Sequence, residues 1–191
     1  KPDTDRFRLV ELVNKVDKEG EHDETDYARI KLSPDNQLFG RQVDSFKQIG
    51  HHPSIAEFKG YQFYPEHLAY IKYYPNGSLQ HLLNEINNDQ EKSFWNATNK
   101  SKCVLGIVAA VAHIHNKMKS IDANFSIHYL CTENVIFDSN NEIKLINYVF
   151  GNEKLGNNSI AYIPPELFES EGLKKFEDTW DVGMILYELL T

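Results

Sequence analysis

The chain has 191 residues, 41% of them hydrophobic, which is enough for one sizeable domain or two small lobes sharing a core. Its formal net charge of −8 argues against nucleic acid or an anionic membrane surface as partner. The charged start Lys1–Arg8, the lack of a long apolar run and just two cysteines, Cys103 and Cys131, argue against secretion, membrane insertion and a disulfide framework, so a cytoplasmic setting is expected.

In chain order, Arg8–Val13 reads as an apolar-rich strand, and Asp17–Asp26, with six carboxylates against one lysine, as a solvated acidic hairpin tip. Tyr27–Leu32 is the next strand. Ser33-Pro34-Asp35 has the chemistry of a helix start, with Ser33 as cap. Leu38, Phe39, Gln42, Val43, Phe46 and Ile49 then recur at helical spacing until Gly50. Adjacent His51 and His52, with no third ligand in view, read as a turn. Leu68–Tyr73 is a strand that ends in the turn residues Pro75-Asn76-Gly77-Ser78, and composition shifts there from strand-rich to helix-rich.

Beyond it, Asn84–Ser93 is polar and reads as a surface loop. Lys100–Asn116 carries Val104, Ile107, Val108, Val111 and Ile114 on one helical stripe, with Ala109, Ala110 and Ala112 permitting close packing. After the connection Lys117–Phe125, Ser126–Gly151 reads as a loop, a short strand (Val135–Phe137), a polar turn (Asp138–Asn141), a second strand (Ile143–Ile146) and another loop. Such a hairpin brings polar loop residues from both ends to one place. Val182–Leu190 is apolar nearly all round, as a buried helix should be.

Several of these stretches resemble protein kinases. S-I-H-Y-L-C-T-E-N, followed by the hairpin and N-Y-V, is similar to the catalytic loop H-R-D-L-K-P-E-N and the D-F-G of that family. Leu130, Glu133 and Asn134 match; Ile127, His128 and Tyr129 stand at H-R-D, and Asn147, Tyr148 and Val149 at D-F-G. Y-Y-P-N-G-S-L resembles the hinge of the tyrosine-kinase-like group. Y-I-P-P-E-L-F resembles the A-P-E segment, and E-D-T-W-D-V-G-M-I-L-Y-E-L-L-T the helix D-x-W-S-x-G-x-x-L-x-E-L. The resemblance implies an α+β, bilobal protein-kinase-like fold, with a small β-rich N-lobe with one helix (1–71), a hinge (72–77) and a helical C-lobe (78–191) that stops in its central helix. In that fold the Val182–Leu190 helix is expected to expose apolar surface.

The same resemblance assigns a nucleotide cleft to Lys31, Gln42, Ile71 as gatekeeper, Tyr73 on the linker and Ile136 as adenine floor, and the metal positions to Asn134 and Asn147. The departures from the family are chemical. Asn14, Val16 and Glu19 occupy the glycine positions of the phosphate loop, and Glu21 the valine above the adenine. If Lys31 is the strand lysine, Arg29 lies over the adenine; if Ala28 keeps its family role, the lysine position falls on Ile30 and the charge is lost. Gln42 holds the place of the helix glutamate and can hydrogen-bond Lys31 without neutralising it. At the catalytic aspartate stands Tyr129, a phenol with a pKa of about 10 and about a thousandth ionised at pH 7. Cys131 takes the place of the loop lysine, and Asn147 that of the magnesium-binding aspartate.

Packing positions are kept. The family's hydrophobic column maps to Phe46, Phe58, Ile127 and Tyr148, seated on Asp178, all four apolar or aromatic. Filled packing sites beside emptied charged sites imply a folded kinase relative without phosphoryl transfer, a pseudokinase that acts on unidentified protein partners as an interaction or allosteric module. No cofactor is expected on that reading. The alternatives are a weakly active atypical Ser/Thr or Tyr kinase using ATP and magnesium, and a switch that binds ATP without turning it over.

Overall fold

The computed structural model describes residues 11–16, 22–85, 95–122, 125–127, 130–148, 160–165 and 177–191. Strand pairing organises the first part of this set. β1 (Glu11–Val16), β2 (His22–Lys31), β3 (Phe58–Gln62) and β4 (Leu68–Lys72) form an antiparallel sheet in the order β1-β2-β4-β3. β2 is longer than Tyr27–Leu32. His22–Asp26, expected in an acidic tip, are in the strand, because the β1 backbone supplies the ladder (Val16↔His22, Asn14↔Asp26) whatever the side chains are. Residues 8–10 and 17–21, with the positions of Glu19 and Glu21, lie outside the described residues.

Period-two alternation sorts β2 cleanly: Ala28 and Ile30 are buried, Arg29 is half-buried and Lys31 is exposed. Helix α1 (Asn36–Ile49) lays Phe39, Val43, Phe46 and Ile49 inward. Phe46 stacks flat on Phe58 at 4.7 Å, and Phe39 packs against Tyr61, Phe63 and His67 of the β3–β4 hairpin. The α1 cap is Asp35, whose Oδ1 accepts from Leu38 N at 2.8 Å, and not Ser33. Pro34 and the extended backbone at Asp35 shift the first helical residue to Asn36, and Ser33 Oγ accepts instead from Asp35 N at 3.2 Å. Gly50 ends the helix at φ 65, left-handed backbone that a β-carbon would strain.

The chain divides into two compact units, residues 1–51 with 56–73 and residues 52–55 with 74–191. The second holds α2 (Leu79–Glu85), α3 (Ala97–Met118), the hairpin β5 (Val135–Phe137) and β6 (Ile143–Leu145), and α4 (Glu177–Leu190). Asn84 and Glu85, expected in a loop, complete α2, and residues 86–94 lie outside the described residues. The buried face of α3 is Cys103, Ile107, Ala110, Ile114 and Met118. It is rotated from the expected stripe, leaving Val108 exposed. The reason is close approach: a β-carbon on Gly106 would meet Ile143 Cγ1 of β6 at 2.6 Å, so the helix packs where its residues are smallest. On α4, Ile185 and Leu189 are buried, whereas Tyr187 and Leu190 are exposed, so the helix is not covered all round.

Candidate functional site

The site is built on the β5–β6 hairpin of the second unit. Its strands pair Val135↔Leu145 and Phe137↔Ile143, and the turn closes through Asp138, whose Oδ1 accepts from Asn140 N and Glu142 N, both at 2.9 Å. Residues 53–55 brace the hairpin: Leu145 N donates to Ser54 O at 2.9 Å and Lys144 Nζ to Pro53 O at 2.7 Å. A 3₁₀ turn at Thr132–Asn134 precedes β5, and Ile146 N donates to Asn134 O at 2.9 Å, so the two ends of the hairpin are tied together.

That tie sets Asn134 beside Asn147. Asn147 adopts φ 57, a left-handed conformation that asparagine tolerates better than most residues, and its Nδ2 donates to Asn134 Oδ1 at 2.7 Å. Asn134 Nδ2 in turn reaches Cys131 Sγ at 3.4 Å. Asn147 Oδ1 is buried with no hydrogen-bond partner among the described residues. Two neutral amides, one oxygen already engaged by the other side chain, do not fit a hard divalent cation that favours carboxylates. Burial pushes the Cys131 thiol up to about 11, so it is neutral at physiological pH. Tyr129 lies outside the described residues, as do 149–159, with Ser159, and Glu166.

The loop carrying these residues is anchored from α4. Asp178, 1% exposed, accepts from Ile127 N (2.9 and 3.0 Å to its two oxygens) and from Ser126 Oγ at 2.9 Å, and His115 Nε2 of α3 lies 2.6 Å from its Oδ2. Ile127 and Tyr148 are both buried. Thr132 Oγ1 stands between Gln80 Oε1 at 2.7 Å and Glu188 Oε2 at 3.0 Å, linking the turn to α2 and α4. The His115–Asp178 pair, Thr132 and Asp181 were not singled out as partners by their spacing, because residues 63 and 56 positions apart in sequence meet only through the tertiary fold. An aspartate at each of 178 and 181 on an otherwise apolar helix is the signal that was available.

In the first unit the remaining candidates separate. The Lys31 side chain is 60% exposed and pairs with Glu66 at 3.0 Å. Gln42 is buried, but its Oε1 accepts from Ser33 N at 3.0 Å, so Gln42 and Lys31 are not hydrogen-bonded to each other. Ile71 is buried and pairs across the ladder with Ala28; Tyr73 is half-buried. In the second unit Ile136 is half-buried at the centre of β5, bridged to Ser78. Among the described residues no group of three or more metal-ligating side chains occurs, and no helix is long and apolar enough to cross a membrane.

The comparison with known proteins agrees with this architecture. The protein kinase domain family matches residues 16–191, and the chain belongs to that family. It is 31% identical over 184 residues to the serine/threonine-protein kinase SIK1 of Mus musculus, covering 86% of this chain and 20% of that protein. It is 27% identical over 161 residues to an Aurora kinase of Eremothecium gossypii (80% of this chain, 40% of that protein) and 27% identical over 146 residues to pollen receptor-like kinase 4 of Arabidopsis thaliana (73% and 21%). The chain thus spans from about a fifth to about a half of the curated relatives it matches.

Proposed function

We propose that this protein kinase domain transfers no phosphate and works as a protein-interaction or allosteric module in signalling, a pseudokinase of tyrosine-kinase-like type. The observation that supports this reading most is the Asn147–Asn134 hydrogen bond at 2.7 Å, which joins to each other the two side chains standing at the family's metal positions. The neutral Cys131 thiol at the loop-lysine position agrees with it, since a neutral group cannot offset the charge of a transferring phosphate. The β2 register adds a third support: with Ala28 against Ile71, the lysine position falls on buried Ile30, and Lys31 is turned outward to Glu66.

The test is phosphoryl transfer from ATP to the chain itself and to generic protein substrates, with Tyr129→Phe as control. No incorporation above background is expected. Incorporation that Tyr129→Phe abolishes would establish the second reading, a slow kinase, which the names of the relatives favour. A third reading, a nucleotide-binding switch, is separated by thermal melting with ATP, with and without magnesium. Ligand that binds the folded state raises the melting temperature, and none of these additions is expected to do so.

A further inference from the structure

The start of α4 carries a second buried acid that the site as described does not use. Asp178 and Asp181 lie three residues apart, on one face of the helix, and are 1% and 5% exposed. Asp178 grips the loop at Ser126 and Ile127, and Asp181 accepts the backbone N–H of Leu130, so the two carboxyls hold the loop on either side of residues 128–129. We propose that this pair is a proton-operated clasp on the 126–131 loop, shut while Asp181 is neutral and loosened when it ionises.

The charges around it support this. From α3 comes one cation-forming group, His115, and it is engaged with Asp178. From α4 itself come Asp178 and Glu177, and from the loop the Cys131 thiol; Glu188, further along α4, is bonded to Thr132. No lysine or arginine among the described residues lies against Asp181. One histidine can balance one carboxylate, and a second anion in the same buried place would stand uncompensated. The neutral acid can still accept from Leu130 N through its carbonyl oxygen. Burial, then Asp178 and Glu177, push the Asp181 carboxyl up to about 8. The family resemblance puts a serine at this position, which carries no such charge.

The sign follows from linkage. The folded pKa lies above the unfolded value of about 3.9, so the folded state holds the extra proton between them. The stabilisation is complete below about pH 4, declines as pH rises, and is gone above about pH 8.

The test is urea unfolding of the 191-residue chain and of Asp181→Asn and Asp181→Ser from pH 5 to 9, with hydrogen-exchange protection of the Ile127 and Leu130 amides. The folding constant of the unmodified chain, relative to Asp181→Asn, is expected to fall by up to about tenfold per pH unit toward pH 8 and then level off. Protection at Leu130 should fall in parallel in the unmodified chain alone. Asp181→Ser carries the test if the Asn variant fails to fold. Should neither fold, carbon-13 titration of the Asp181 carboxyl in the unmodified chain decides: a midpoint above 7 sustains the clasp, and one below 6 overturns it. Parallel pH profiles for the three chains would overturn it equally.

Discussion

The side-chain amide of Asn147 donates to Oδ1 of Asn134 at 2.7 Å, so two residues 13 apart in sequence close the open end of the hairpin on themselves. Changing Asn147 to Asp replaces that donor with a carboxylate facing an amide oxygen. The pair then attracts a hard cation instead of excluding it. Magnesium or manganese is expected to raise the melting temperature of Asn147→Asp and to leave the unmodified chain unchanged. At tenfold excess over the dissociation constant, the gain would be about 1.4 kcal/mol. A cation-induced shift in the unmodified chain would count against the amide pair as a barrier to metal.

The two faces of β2 make opposite predictions for adjacent residues. Lys31→Ala removes an exposed ion pair with Glu66, of a kind worth about 0–1 kcal/mol. Ile30→Lys places an ammonium where the side chain is 1% exposed, and is expected to cost more than about 3 kcal/mol. Chemical denaturation of both variants checks the contrast. Equal and small effects would mean that the strand faces are assigned the wrong way round.

The β2 register shows where the sequence was and was not legible. Y-A-R-I-K-L offers a basic residue at every second position on one face and apolar residues on the other, and either register satisfies the alternation. Burial of Ala28 and Ile30 separates them, through the ladder to β4 and packing under α1, neither of which is local. The hairpin was legible almost to the residue, because a polar turn between two apolar triplets leaves few alternatives: Val135–Phe137 is observed as expected and the second strand ends one residue early, at Leu145. The stripe on α3 was not. Valine, isoleucine and alanine cover more than one face of that helix, and Gly106 decides which face comes close to Ile143.

That close approach gives a packing prediction. Gly106→Ala would put a methyl 2.6 Å from Ile143 Cγ1 and 3.3 Å from Ser54 Oγ, forcing α3 and β6 apart or Ile143 off its rotamer. Overpacking of this kind costs about 1–3 kcal/mol, against which the better helix propensity of alanine returns up to about 1 kcal/mol. A lower urea midpoint is expected, with Gly183→Ala as comparison, since nothing lies within 4 Å of a β-carbon there.

Both thiols should be inert in the folded chain. Burial pushes Cys131 up to about 11 and Cys103 up to about 12, against about 8.5 for a free thiol. Near neutral pH the thiolate fraction of either is lower by roughly two orders of magnitude or more. Iodoacetamide at pH 7.5 is expected to label neither within the time that fully modifies the urea-unfolded chain, as read by intact mass. Rapid labelling of Cys131 in native buffer would instead point to an activated thiol at the loop-lysine position.

Asp138 sets the acid limit of the hairpin. Burial alone would raise its pKa, but hydrogen bonds from Glu142 N, Lys144 and Asn140 N outweigh it, and the carboxyl is held below its ordinary value. Lys144 Nζ lies 3.1 Å from Asp138 Oδ2 and also reaches Pro53 O, so the same lysine links the turn to the brace at residues 53–55. A folded pKa below the unfolded one gives stability that is present above about pH 4 and lost as pH falls through the folded value. Asp138→Asn keeps an acceptor for the two turn amides but loses the charge facing Lys144. It should therefore be less stable than the unmodified chain at pH 7, by about 1 kcal/mol, with the gap closing as both are melted at successively lower pH below 4. A gap that stays constant down to pH 2 would show that the turn amides alone, and not the Lys144 pair, hold this end of the hairpin.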